Sequence, residues 1–351
     1  MPRRSILTTR QRAALFDLPT DEASILYHYT LSDEDIDIIQ TRRHARNRLG
    51  FALQLCAFRY PGRVLVSGEV IPEPISRFIA AQLGEEMDEL CRYAETDVTR
   101  RRHLVDLRQV YGFKMFSGHC ARELQTWLAG EAEHATSNHD LAHRFVEECR
   151  RTRTILPGIS VIERLCADAL VAAERRTDSA IVARLDEPLK TRLDALLAEM
   201  VEGKVSRFVW LRQFEVGQNS ADATRLLDRL EFLQEMNLSP DILAGIPPHR
   251  VSRLQRQGER YFADGLRDIS SDRRLAIITV CVVAWRAALA DAVIETHDRI
   301  VGKTWQGARK LCDAKIADAK TAVQDTLRAF KSLGAALLDA RSDGAPLDQA
   351  T

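Results

Sequence analysis

Lysine is scarce in this sequence: eight of the 50 basic residues are lysine and 42 are arginine. The 50 acidic residues bring the formal net charge to zero, which excludes a generally basic protein that coats nucleic acid. Binding of a polyanion would therefore require local basic faces. A GC-rich coding genome and selection for planar, bidentate recognition of phosphate or guanine both explain the excess of arginine, and the two explanations are compatible.

Paired cysteines and long apolar runs are also missing. The seven cysteines stand singly, without a CxxC pair, which excludes a zinc ribbon and a disulfide framework and indicates reduced thiols in a cytosol. The most apolar run, Leu275 to Trp285, is interrupted by Arg286 and is shorter than the roughly 18 residues of a membrane span. We expect a soluble, unexported protein without a membrane partner.

Motifs for catalysis are missing as well. The sequence has no GxSxG, no HExxH and no glycine-rich loop that opens a helix after a strand. His139, His143 and Glu147 follow one another at single helical turns and could hold a metal, but such triplets are frequent on polar helix faces. We therefore expect no metal, no cofactor and no catalytic residue in this chain.

The periodicity of the apolar residues is helical almost throughout, which predicts an all-α fold. With 351 residues and 45% hydrophobic content, the chain can bury more than one core. We predict several small helical domains with helix-turn-helix-like units, closed by one or two long C-terminal helices. The expected boundaries are 1–95, 96–180, 181–340 and a linker or frayed end at 341–351. The predicted helices are Thr9–Phe16, Asp33–Arg43, Arg46–Arg59, Ile75–Leu83, Val98–Val110, His119–Gly130, His139–Thr152, Val161–Arg175, Asp186–Val201, Ser220–Met236, Pro248–Leu266 and Asp272–Ala340.

The most informative segment runs from His28 to Gly62. Ser32 followed by Asp35 is typical of a capping box, and six arginines but no carboxylate occur between Ile38 and Gly68. The helix after this turn is apolar on two opposite sides, so its body should be buried while its N-terminal end stays accessible. Helix-turn-helix proteins contact DNA with that end of their second helix. We predict phosphate contacts for Arg42 and Arg43 and base contacts for Arg46, Asn47 and Arg48; a solvated arginine cluster is the alternative.

Three further basic elements follow along the chain. The first contains Arg100, Arg101, Arg102 and Arg108, together with His103. The second contains Arg250, Arg253, Arg256 and Arg260, with Val251, Leu254, Gly258 and Tyr261 predicted to line the core. The third is the segment from Lys303 to Lys331, which has seven basic and three acidic residues and includes Lys303 and Lys310. Each element is a candidate for DNA binding, and an ordinary charged solvent face is the alternative for each.

Several long motifs carry a resemblance to a known family: MPRRSILTTRQRAALFDLP, HYTLSDEDIDII, NRLGFALQLCAFRYPG, RRRHLVDLRQVYGF, RTILPGISVIERLCADAL and PPHRVSRLQRQGERY. Together they resemble the amino-terminal part of the large replicative transposases of Tn-three-type bacterial transposons. The resemblance implies helical domains that bind the terminal inverted repeats of the transposon. It also implies a longer C-terminal part with an Asp-Asp-Glu triad that uses Mg²⁺, and that part cannot be assigned to any residue here.

From the residues and the resemblance together, we expect a truncated transposase that binds double-stranded DNA at transposon ends and is not catalytic alone. Such a protein would be cytoplasmic and associated with the nucleoid. The alternative is a regulator or inhibitor that forms inactive oligomers with full-length transposase or with itself, through terminal helices that are apolar at Ile277, Ile278, Val282, Trp285 and Leu289. A helical scaffold without a role in nucleic-acid binding is the third possibility.

Overall fold

The computed structural model describes residues 6–66, 68–88, 90, 93 and 97–342. The fold is all-α, as predicted: the described residues form 15 α-helices and four strands of two residues each. The contacts of the chain group it into two compact units. Unit 1 runs to Ala183 and adds Gly245–Arg253, and unit 2 consists of Arg184–Ala244 and the chain from Leu254 onward. The predicted segments 1–95 and 96–180 both lie within unit 1, and their separation into domains stays a prediction.

Unit 1 contains nine complete helices and one two-stranded parallel sheet among its described residues. The strands are β1 (Lys114–Met115) and β2 (Thr154–Ile155). The helices are α1 (Thr9–Phe16), α2 (Glu22–Tyr29), α3 (Asp33–Gln40), α4 (Ala45–Arg59), α5 (Glu73–Leu83), α6 (Asp97–Tyr111), α7 (Gly118–His134), α8 (Asn138–Arg151) and α9 (Ile159–Val182).

Unit 2 contains a two-stranded antiparallel sheet, a 3₁₀ turn at Pro240–Leu243 and the later helices. The strands are β3 (Met200–Val201) and β4 (Val205–Ser206). The helices are α10 (Glu187–Ala198), α11 (Arg207–Arg212), α12 (Ser220–Glu235), α14 (Ala263–Arg267) and α15 (Ser271–Ser342). Helix α13 (Pro248–Arg260) belongs to unit 1 up to Arg253 and to unit 2 from Leu254.

Side-chain caps determine where many helices begin. The capping box of Ser32 and Asp35 is confirmed: the Ser32 hydroxyl accepts from the Asp35 N–H at 3.2 Å, and the Ser32 N–H donates to the Asp35 carboxylate at 2.9 Å. Asp186 and Asn219 cap α10 and α12 through their side chains, each accepting from a backbone N–H three residues on.

Several helix ends are shifted: α3 ends at Gln40 and not at Arg43, α10 ends at Ala198 before β3, and α9 extends to Val182. Beyond these shifts, the observed helices differ from the predicted ones at three places. Two short helices, α2 and α11, were not predicted, and the predicted helix Pro248–Leu266 is interrupted after Arg260. Tyr261, predicted to line the core, is 36% exposed because it lies beyond the end of α13. The core face of α13 is therefore shorter than its sequence pattern indicates.

Helix α4 is the centre of the first core of unit 1. All ten residues from Leu49 to Phe58 are buried, which confirms the prediction that this helix packs on both sides. A second core lies between α7, α8 and α9, where Leu128, Phe145 and Ile162 are at most 1% exposed. The long body of α4 is therefore held rigidly, and its ends are the parts that can reach a ligand.

Helix α15 combines a buried first part with an exposed second part. It includes an 18-residue window of mean hydropathy 2.0, which is long and apolar enough to span a membrane. By length and composition alone, the expectation that its apolar run is too short for a membrane span is therefore wrong. Half of that window is buried inside the protein. Ile277, Ile278 and Val280 are 0% exposed, and the helix packs on α12 and α10. This burial is typical of the core helix of a globular unit.

Candidate nucleic-acid interface

The turn Thr41–His44 joins α3 to α4 and presents the N-terminal end of α4 at the surface. His44 stands at the capping position without a side-chain hydrogen bond, and the first turn of α4 contains no acidic residue. The positive end of the helix dipole is therefore not neutralised by a local carboxylate. An anion is the natural ligand of such a helix end.

Four of the six arginines between Ile38 and Gly68 form ion pairs with carboxylates from outside the arginine-rich turn. The pairs and their N–O distances are Arg42–Asp106 at 2.7 Å, Arg48–Glu85 at 2.5 Å, Arg59–Asp35 at 2.8 Å and Arg63–Glu69 at 2.5 Å. The expectation that no acid pairs with the cluster is thus wrong for Arg42 and Arg48. The fold brings acidic residues from α6 and from the end of α5 against a segment that has none of its own.

Arg42 and Arg48 help to shape the turn. The Arg42 guanidinium lies 4.2 Å from the centre of the Phe51 ring, and Arg48 donates to the backbone oxygen of Arg42 at 3.0 Å. Both side chains are 21% exposed. These contacts fix the chain between α3 and α4, so a direct contact of these two side chains with DNA would require part of this arrangement to open.

The other three residues of the predicted cluster are Arg43, Arg46 and Asn47. The side chain of Arg43 is exposed and those of Arg46 and Asn47 are partly exposed. None of the three side chains forms an ion pair or a hydrogen bond with any residue that the structure describes. The sequence-predicted cluster of five is thereby divided into two residues that support the turn and three that are available to a ligand; we call Arg43, Arg46 and Asn47 the α4 tip.

A buried ion pair closes the opposite end of α4. Both oxygens of Asp35 accept from the Arg59 guanidinium at 2.8 Å, and Asp35 is 2% exposed. Burial alone would raise the pKa of Asp35, but the hydrogen bonds from Arg59 and from the Ser32 N–H outweigh it and lower the pKa below its usual value. Asp35 thus stays ionised and joins the start of α3 to the end of α4.

The basic element on α6 is only partly exposed. Arg100 donates to the Leu65 carbonyl at 2.8 Å, and Arg101 is exposed and has further interactions. Arg102 is exposed and forms no ion pair with a described residue, while Arg108 is partly exposed and its Nε is buried without a hydrogen-bond partner there. Arg102 lies one helical turn before Asp106, the partner of Arg42, and therefore on the same side of α6 as Asp106.

His103 was grouped with this basic element, and that grouping is wrong. It is 4% exposed, and its Nδ1 lies 3.1 Å from the Tyr93 hydroxyl. Burial and the nearby Arg42 lower its pKa to about 4. His103 is consequently neutral at pH 7 and belongs to the packing between α4 and α6, where its ring contacts the edge of Phe51.

The basic element on α13 divides in the same manner. Arg250, predicted to face outward, is 3% exposed, donates to the backbone oxygen of Ala132 and lies 4.0 Å from Glu174. Arg253 is half exposed and pairs with Glu174 at 2.7 Å. Both arginines therefore hold the start of α13 to the rest of unit 1. The prediction that Arg250 faces outward is wrong, whereas Arg253 is exposed as predicted, and its role in DNA binding stays a prediction. Arg256 and Arg260 are exposed in unit 2.

The cationic segment of α15 is exposed along its whole length. Lys303 donates to the Gln218 side chain at 3.0 Å, and Lys310 forms no contact of this kind with a described residue. This exposure is compatible with both interpretations of the segment, DNA binding and an ordinary charged solvent face. Within the described residues, no group of three or more His, Cys, Asp or Glu side chains is placed to hold a metal ion.

The fold and the surface define a class: an all-α protein in which a short turn joins α3 to α4, with cationic side chains that have no partner among the described residues in that turn and in the first turn of α4. A protein family described as a domain of unknown function (DUF4158) matches residues 6–169. The chain is 34% identical over 344 residues to the transposase for transposon Tn3926 from Escherichia coli, and 33% identical over 345 residues to the transposase for transposon Tn501 from Pseudomonas aeruginosa. It belongs to the Tn-three family of transposases.

The similarity covers 98% of this chain but 35% of each of these two relatives. A more distant relative, the transposase for transposon Tn1546 from Enterococcus faecium, is 27% identical over 343 residues with the same coverage of its own length. The chain thus spans about a third of the length of the relatives that it matches. The resemblance inferred from the sequence motifs is confirmed at the level of the family.

Proposed function

We propose that this part of a Tn-three-family transposase binds duplex DNA at the ends of its transposon through the α4 tip. Arg43 would contact phosphates, and Arg46 and Asn47 would reach base edges in a groove. The observation that supports the proposal is the division of the six arginines between Ile38 and Gly68. Four of them pair with carboxylates. The other two have no partner among the described residues: Arg43 lies in the turn before α4, and Arg46 lies in the first turn of α4.

Other exposed cations are further candidate contacts. Arg102 adds positive charge on the side of α6 that carries Asp106, the partner of Arg42. Arg256, Arg260, Lys303 and Lys310 are exposed cations of unit 2. Arg42, Arg48, Arg250 and Arg253 act in this proposal as supports that position the contact residues.

The proposal assigns DNA binding, and not strand cleavage, to this stretch of chain. The relatives are named as transposases, and about two thirds of their length lies outside the match. We propose that the chemistry and its Mg²⁺ belong to that remainder, and that the protein acts in the cytoplasm on nucleoid DNA. Nicking of transposon-end DNA by this chain in the presence of Mg²⁺ would contradict this assignment.

The direct test compares two duplexes in a fluorescence anisotropy titration. One duplex contains a terminal end of transposon Tn3926, and the other has the same base composition in scrambled order. We expect the end duplex to bind at least about tenfold more tightly, since one good bidentate base contact already discriminates by about 1–3 kcal/mol. Equal affinity for the two duplexes would show that the binding is non-specific. No binding to either duplex would refute the proposal.

A second candidate function, self-association or association with a longer transposase, is favoured by the exposed part of α15. The interface suggested from the sequence, with Ile277, Ile278, Val282, Trp285 and Leu289, is wrong because all five residues are buried in unit 2. The exposed part contains a heptad pattern instead: Ile316, Val323, Phe330 and Leu337 recur every seven residues, with Cys312, Ala319, Thr326 and Leu333 between them. This spacing is typical of a coiled-coil seam.

We expect this heptad seam to pair with a second copy in solution. Val323→Asp combined with Phe330→Asp should convert a dimer into a monomer in sedimentation equilibrium at micromolar concentration, because both side chains are more than half exposed and their loss disturbs no core. The matched control is Lys310→Asp on the same exposed helix, which lies outside the seam. A parent protein that is monomeric at these concentrations would contradict the expectation.

A further inference from the structure

A concave site lined by three arginines lies at the far end of α4, within unit 1. Its volume is about 220 Å³, and its lining residues are Phe58, Arg59, Tyr111, Phe113, Arg150 and Arg153. The ends of α4, α6 and α8 converge there with the residues that lead into β1 and β2. We call it the arginine pocket. None of its residues was identified from the sequence, although the run Arg150-Arg151-Thr152-Arg153 was a visible signal.

The three guanidinium groups are compensated unequally. Arg59 is held by both oxygens of Asp35, and Arg150 pairs with Glu147 at 2.7 Å. Arg153 donates to the Tyr111 carbonyl at 2.9 Å and has no carboxylate partner among the described residues. The pocket therefore has a local excess of one positive charge, with Arg153 exposed at its edge.

Tyr111 and Arg59 are both held by Asp35. The Tyr111 oxygen is buried, and burial, the charge of Asp35 and a hydrogen bond to Asp35 raise the pKa of Tyr111, so the phenol remains protonated. The Arg59 guanidinium lies 5.6 Å from the centre of the Tyr111 ring. Arg153 is therefore the cation of the pocket that is most available to a ligand.

The backbone at Arg153 is also unusual. Its φ of 52° lies in the left-handed region, which glycine and asparagine adopt more readily than other residues. The carbonyl of Arg153 accepts from the Lys114 N–H at 2.8 Å, so the parallel strand pair fixes this conformation. Arg153 thus has a strained backbone conformation at the edge of the pocket, although glycine or asparagine would adopt this conformation more easily.

We infer that the arginine pocket binds one phosphate of the DNA backbone. This inference rests on the proposed DNA binding and adds a second contact point to it. Arg59 donates to Asp35, and Arg150 donates to Glu147 and to the carbonyls of Pro61 and Leu15, so these two arginines shape the pocket. The planar guanidinium group of Arg153 matches the acceptor oxygens of a phosphate. Arg59 follows Arg46 by 13 residues on one helix, which corresponds to about 20 Å or the rise of roughly six base pairs. A duplex of ordinary site length can therefore extend over that distance.

Arg153→Asn is the variant that tests the inference, since asparagine tolerates the left-handed backbone and the chain should stay folded. We expect its affinity for the end duplex to fall about tenfold, the size of one charge-assisted hydrogen bond. Arg151→Ala is the matched control: Arg151 lies two residues away, is 72% exposed and pairs with Glu148 outside the pocket. Its affinity should stay within about twofold of the parent, as a screened surface pair contributes little.

A scan with methylphosphonate links then identifies the phosphate. Each duplex in the set carries one neutral linkage, and the parent should lose several-fold affinity at one position where Arg153→Asn shows no further loss. If the parent binds the end duplex but no linkage couples to Arg153, or if Arg153→Asn binds as tightly as the parent, the pocket inference is overturned while the proposed function stands. If the parent binds no duplex, both are overturned.

Discussion

Reversing the charge of Arg43 and Arg46 together, as Arg43→Glu with Arg46→Glu, is expected to weaken binding to the end duplex by roughly 10²–10³-fold. Each contact to a phosphate or base is worth about 1–3 kcal/mol, and the introduced carboxylates add repulsion from the DNA backbone. The loss should not be a loss of folding, because neither guanidinium interacts with a described residue. Anisotropy titration measures the affinity, and thermal unfolding of the same sample checks the fold.

Arg77→Glu is the matched control for this charge reversal. Arg77 is 74% exposed on α5 and pairs with Glu73 one turn earlier, so it shares the exposure of the α4 tip but lies outside the α3–α4 turn. Its affinity should stay within about threefold of the parent, the change expected of a distant surface charge. An equal loss from Arg77→Glu would mean that general charge, and not the α4 tip, determines binding.

Asp35→Asn is expected to destabilise unit 1 by about 1.5–3 kcal/mol, the contribution of hydrogen bonds to a charged group, because the Arg59 side chain that loses its carboxylate is 33% exposed. The introduced amide could no longer neutralise Arg59, and the reciprocal cap of α3 would be weakened at the same time. Urea unfolding followed by the fluorescence of Trp127, the tryptophan of unit 1, measures the change. Glu73→Gln, which removes the exposed partner of Arg77, is the control and should cost less than about 1 kcal/mol.

The dependence on pH has a defined sign. The folded-state pKa of Asp35 lies below that of the unfolded chain, so its contribution to stability is present above about pH 4 and is lost as the pH falls further. The parent should therefore lose stability more steeply than Asp35→Asn in this acidic range. Parallel curves for the two proteins would show that the Asp35–Arg59 pair does not supply this stability.

Much of the fold follows from local pattern. The capping box at Ser32, the buried body of α4 and the long proline-free helix at the end of the chain were all predictable, because each depends on residues within one or two helical turns of one another. Helix α11 has six residues, too few for a distinct apolar period. Helix α2 is as long as α1, which was predicted, so its length does not explain why it was missed. No proline marks the end of α13 after Arg260 in the sequence.

The partners of the arginines could not be predicted. Asp106 lies 64 residues from Arg42, and Glu85 lies 37 residues from Arg48, so a local count of acids and bases found an uncompensated cluster where the fold compensates most of it. Similarly, the helical pattern of α13 correctly assigned Leu254 and Gly258 to the core, but not Arg250. The backbone oxygen of Ala132, 118 residues away, accepts from that arginine and makes its burial possible.

The close packing of Gly258 shows why its position in the core was predictable. A Cβ at this residue would lie 2.2 Å from the sulfur of Cys281 on α15, so the helix requires the smallest side chain there. Small residues on an apolar face are a local signal, whereas ion pairs between distant segments are not. The structure was therefore needed to distinguish the arginines that support the α3–α4 turn from those that are available to a ligand.

The most direct test of DNA binding by the α4 tip is the dependence of affinity on salt for the parent and for Arg43→Ala with Arg46→Ala. If about six phosphates are engaged, log K should fall against log salt with a slope of about −5, and the double variant should have a slope shallower by about one or two. A parent slope near zero, or equal slopes for the two proteins, would contradict the proposal that these two arginines meet the DNA backbone.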